Sequence, residues 1–160
     1  MRIHKEILWL FLIFFVQQLP LVADWGIDFP LIFVVLIGIR SDLPQAASWG
    51  FAAGTLQDLL SSGGIGVNTI SKTFVGLGAS FLKMHIYRER VLTQTFLIAG
   101  LSIFHEFFSY LLMRWDGEAP RAEDAFWICA RSVSLTTLAG LVVCVFIVRF
   151  RRRRFDPATA

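Results

Sequence analysis

Two stretches decide the fold: VLTQTFLIAGLSIFHEFFSYLLM, residues 91–113, and AFWICARSVSLTTLAGLVVCVFIV, residues 125–148. A helix needs roughly 20 apolar residues to cross a 30 Å hydrocarbon core, and each of these meets that length. Working outward, four more apolar stretches can be marked, at about Ile7–Val22, Ile27–Ile39, Leu43–Leu60 and Ile65–Leu82. The second of these is short and reads either as a half-span or as a span that borrows Arg40 by snorkelling. Arg2 and Lys5 ahead of an apolar run resemble a signal peptide, but the run is long enough to span.

Composition points the same way. The chain has 160 residues, of which 56% are hydrophobic and only 17% charged. A soluble domain carries about 25% charged residues, and the mean hydropathy here is +0.64. A disordered chain, a disulfide-rich secreted module and an ordinary cytosolic enzyme are thereby excluded. The expectation is an all-α, polytopic membrane protein of about six transmembrane helices. It forms one transmembrane domain over residues 1–149 and a basic cytoplasmic tail over 150–160.

Charge placement orients it. With the N-terminus inside, the inner segments hold eleven basic residues: Arg2, Lys5, Arg40, Lys83, Arg88, Arg90, Arg149, Arg151, Arg152, Arg153 and Arg154. The outer segments hold Arg114 and Arg121, and are acidic at Asp24, Asp28, Asp116, Glu118, Glu123 and Asp124. This asymmetry follows the positive-inside rule and favours an even number of spans with both termini cytoplasmic. The arginines at 151–154 read as an inside anchor that also attracts anionic membrane lipid.

Four ionisable side chains fall inside spans, and each costs about 2.5–3.5 kcal/mol at a helix centre. Asp58 lies roughly 5 Å, and Lys72, Glu106 and Arg131 about 9–10 Å, below the outer helix ends at 1.5 Å per residue. Two acids and two bases therefore form a polar layer in the outer half, either structural or binding. Lys72 is the nearest candidate partner of Asp58 in sequence, although spacing leaves the pairing open. Gly50, Gly54 and Asp58 share one helical stripe, and Gly50–Gly54 is a G-x-x-x-G element suited to helix packing or partner docking.

The sequence carries no recognisable catalytic constellation. His105-Glu106 lacks the second histidine of a zinc helix, and there is no G-x-S-x-G, P-loop or G-x-G-x-x-G frame. No metal site, cofactor or nucleic-acid partner is expected. Cys129 and Cys144, 15 residues apart, would lie roughly 22 Å apart on one helix and cannot pair.

The stretch Gly50-Phe51-Ala52-Ala53-Gly54-Thr55-Leu56-Gln57-Asp58-Leu59-Leu60-Ser61-Ser62-Gly63-Gly64-Ile65-Gly66-Val67-Asn68 resembles the rod shape-determining protein family MreD. In that family a G-F-x-x-G-x-x-x-D helix runs into a Gly-rich turn and a G-x-N start. The resemblance implies a non-enzymatic scaffold of the bacterial cell-elongation machinery in the inner membrane, needed for rod shape and lateral peptidoglycan synthesis. It implies partners as well: an MreC-like protein, MreB, RodA and a penicillin-binding transpeptidase. MreD-like chains are also similar in layout to the S components of energy-coupling-factor transporters. The alternative function is therefore a vitamin-capture subunit.

Overall fold

A computed structural model describes residues 12, 17, 26–60, 66–83, 91–115, 117 and 120–153, the side chains of 150–153 excepted. The first apolar stretch, 7–22, lies outside the described residues apart from Leu12 and Gln17. Among the described residues there are five helices and no strands: α1 (Phe29–Gly38), α2 (Leu43–Leu60), α3 (Val67–Leu82), α4 (Val91–Trp115) and α5 (Ala122–Arg153). The all-helical class and five of the six expected stretches are thus present as helices with small changes of boundary. The basic run is partly helical, because α5 continues through Arg153.

α4 has 25 residues and the apolar part of α5 has 28, or about 38 and 42 Å at 1.5 Å per residue. Both are long and apolar enough to cross a membrane. Their outward faces carry large exposed apolar side chains, among them Phe96, Ile103, Phe107, Leu138, Val142 and Phe146. The core helix of a water-soluble protein would bury such residues.

α1 is the opposite case. It has ten residues, eight of them buried, and spans only about 15 Å. The sequence sets both its ends. Asp28 caps it by accepting from the Leu31 N–H at 2.9 Å, and Pro30 occupies the first turn, where proline costs no hydrogen bond. A helix apolar on every side must be surrounded by protein or lipid. Here protein surrounds it, since α1 packs on α2, α3, α4 and α5. Leu31, Val34 and Val35 form the centre of the core with Val75, Ala79, Ile98 and Cys144.

α2 and α3 form a close antiparallel pair along a seam of small residues. A Cβ built on Gly50 would stand 2.8 Å from the Lys72 carbonyl carbon and 2.9 Å from Thr73 Cα. One built on Gly54 would stand 2.7 Å from the Asn68 carbonyl carbon. One turn further along, Gly76 faces the Ala46 backbone in the same way. The stripe therefore serves packing within the chain. The expectation that Gly50 and Gly54 offer a docking face to a partner's span is corrected: both are buried against α3.

Candidate functional site: a buried Asp28–Lys72–His105 cluster

The cluster forms where α1 begins. α1 is only about 15 Å long, and its N-terminus opens inside the bundle, where unpaired backbone groups are costly. Side chains supply partners for the Ile27 carbonyl and for the N–H groups of Asp28, Phe29 and Leu31. The Gln17 amide donates to the Ile27 carbonyl at 2.7 Å and accepts from the Phe29 N–H at 3.2 Å. The Asp28 N–H donates to Thr136 Oγ1 of α5 at 3.0 Å.

The Asp28 carboxylate then divides its two oxygens. Oδ1 caps α1 through Leu31, and Oδ2 accepts from Lys72 Nζ of α3 at 2.5 Å. His105 of α4 brings Nε2 to 3.4 Å from the same Oδ2 and 3.5 Å from Nζ. Lys72 is 0% exposed, Asp28 8% and His105 5%. A fully buried ammonium is retained only when paired and hydrogen-bonded, because desolvation of either ion alone costs several kcal/mol. Nearby, Ser109 Oγ donates to Ser71 Oγ at 3.4 Å. His105 Nδ1 and Ser102 Oγ, both buried, have no hydrogen-bond partner among the described residues.

The residues expected to form one polar layer separate into different roles. Lys72 pairs with Asp28, a residue placed by sequence in an outer segment, and the expected Asp58–Lys72 pair is corrected. Asp58 is buried, as its glycine stripe implied, but it serves the backbone of α3. It accepts from the N–H groups of Gly66, Asn68 and Thr69 at 3.0, 3.0 and 2.9 Å, and from the Thr69 hydroxyl at 2.6 Å. The reason is local. The residue at the α3 cap position is Gly66, at φ +99, which has no side chain to cap with, so the preceding helix supplies the carboxylate. Glu106 is half-buried and accepts from Ser132 Oγ of α5 at 2.5 Å. Arg131 lies on the exposed side of α5.

A prediction follows for Asp58. Asp58→Ala should destabilise the fold by about 2–3 kcal/mol through loss of charge-assisted bonds to the α3 N-terminus. Asp58→Asn, which keeps one acceptor oxygen, should recover part of it. Combined with Lys72→Met in a double-mutant cycle, Asp58→Ala should add within about 0.5 kcal/mol, since the two share no partner. Strong coupling in thermal unfolding would restore the Asp58–Lys72 pair.

No family model, curated protein or solved structure matches the chain. What fold and site define is a class: an all-helical chain with two helices able to cross a membrane and a buried acid–base cluster at the start of a half-length helix.

Proposed function

We propose that the chain is a multi-pass protein of the bacterial cytoplasmic membrane and a scaffold of the cell-elongation machinery, as its resemblance to MreD implies. In this reading it has six spans, both termini cytoplasmic, an S-component-like layout and no turnover of its own. The observation that carries the reading is that, among the described residues, the carboxylates of Asp28, Asp58 and Glu106 and the ammonium of Lys72 are spent on the chain itself. Lys72 and Asp28 hold each other, Asp58 closes the α2–α3 hairpin and Glu106 ties α4 to α5. Such a bundle is suited to presenting a rigid surface. The apolar outward faces of α4 and α5 are then the surface met by lipid and by the single span of an MreC-like partner. A vitamin-capture subunit would instead direct interior polar groups at a ligand.

Depletion in a rod-shaped host tests the function. The expected result is rounded, widening cells and recovery of a one-span partner from detergent extracts. Cells that keep their shape but lose uptake of a vitamin would establish the S-component alternative. Topology is tested separately, by reporter fusions after Trp115 and after Arg154. They should report opposite sides of the membrane, with the second cytoplasmic.

A further inference from the structure

We propose that the groove between the end of α3 and the first half of α4 is a binding site for a membrane phospholipid, one acyl chain of which lies along α4 from Thr93 to Phe104. The groove has a volume of about 510 Å³ and runs from Leu82 and Thr93 to Phe104. Its floor is Gly100, which is exposed and where an added Cβ would meet nothing within 4 Å. Phe96 and Phe104, both exposed, stand four residues to either side of that glycine on the same helical face. The buried side chains of Leu97 and Leu101 line the groove on the core side. Its far end is braced, because Phe104 stacks on Phe108 at 5.6 Å and Phe108 meets Phe74 of α3 edge-on at 5.5 Å.

Length and shape select the occupant. From Thr93 to Phe104 α4 rises about 16 Å at 1.5 Å per residue, and one leaflet of the hydrocarbon core is about 15 Å deep. Thr93, the single polar side chain lining the groove, lies where α4 begins, the end at which the ester of a phospholipid would sit. A partner's helix does not fit. Helices approach closely over paired small residues, as α2 and α3 do at Gly50 and Gly54. Gly100 stands alone between two phenylalanines, whose rings hold off a rod about 10 Å across but admit a chain one methylene wide. The hydrophobic effect contributes little, since an acyl chain leaves surroundings as apolar as the groove. The gain is in dispersion contacts on several sides at once, which a notch floored by glycine offers and a flush helix face does not. Such a site requires that α4 crosses a membrane, as read above, and is independent of the scaffold role.

The experiment uses the full chain, extracted from membranes in mild detergent and washed of bulk lipid, with bound phospholipid counted by native mass spectrometry. Wild type should retain one phospholipid per chain. Gly100→Leu fills the notch and should retain about tenfold less. Val142→Leu, a change on the exposed face of α5, should retain as much as wild type. Equal retention by wild type and Gly100→Leu, or no lipid on wild type taken from the membrane fraction, overturns the site alone. A one-span protein or a second copy of the chain that is held by wild type and lost from Gly100→Leu overturns it as well. Should Gly100→Leu fail to fold, Gly100→Ala takes its place with an expected loss of about threefold, and retention equal to wild type overturns the site. Recovery of the wild-type chain in the soluble fraction after lysis would overturn the membrane reading along with it.

Discussion

Lys72→Met should lower the stability of the fold by about 3–5 kcal/mol, the range found when one member of a buried ion pair is removed and the other is stranded. Methionine is close to lysine in length and keeps the apolar stem, so packing is nearly preserved and the loss is electrostatic. Lys72 is fully buried and its ammonium lies 2.5 Å from Asp28 Oδ2. Without it, Asp28 remains charged among apolar side chains, with the α1 cap and the His105 ring as its remaining company. Asp28→Asn together with Lys72→Met should regain most of the loss. Both charges are then gone, and the Asn oxygen still accepts from Leu31. Reversible unfolding in mixed detergent micelles measures both. If Lys72→Met were as mild as truncating Leu59, a side chain 75% exposed, the pair would not be holding α1 to α3.

Much of this architecture is legible in the sequence, and the part that is not has a physical cause. Helix positions follow from the lengths of the apolar runs, so α2 through α5 fall close to where the sequence places them. The short run at 27–39 signals a helix too short to cross a membrane unaided, and α1, with ten residues, is that short. What that run also implies is that its start lies within the bundle, where Asp28 is buried. Asp28 therefore belongs to the core although linear counting assigns it to an outer segment. The local sign was Asp28 followed by Pro30 at the head of an apolar run, a helix start whose capping carboxylate is fixed in place. Its partners Lys72 and His105 stand 44 and 77 residues away, and no spacing rule reaches across that distance. Similarly, Gly50, Gly54 and Asp58 were legible as one stripe. Their purpose required knowing that Gly66, on the far side of the turn, starts a helix with no capping side chain of its own.

That purpose leads to the second large effect, at Gly54. Gly54→Leu should prevent α2 and α3 from closing on each other, and the protein should be recovered aggregated or largely unfolded. A Cβ alone would stand 2.7 Å from the Asn68 carbonyl carbon and closer still to Thr69 Cα. These atoms are backbone, so no side-chain rotation relieves the clash, and the helices must separate. Separation pulls Asp58 away from the α3 N–H groups it satisfies, so packing and capping fail together. Even Gly54→Ala should cost about 1–3 kcal/mol, the usual range for overpacking a close contact. Gly100→Leu is the control, because a Cβ there meets nothing within 4 Å, and its stability should stay near that of wild type. Size-exclusion profiles and thermal unfolding of the three variants separate two ideas about the glycine stripe. If it is an internal seam, Gly54→Leu loses the fold and any partner is lost as a consequence. If it were a docking face, Gly54→Leu would remain folded with wild-type stability and lose only the partner.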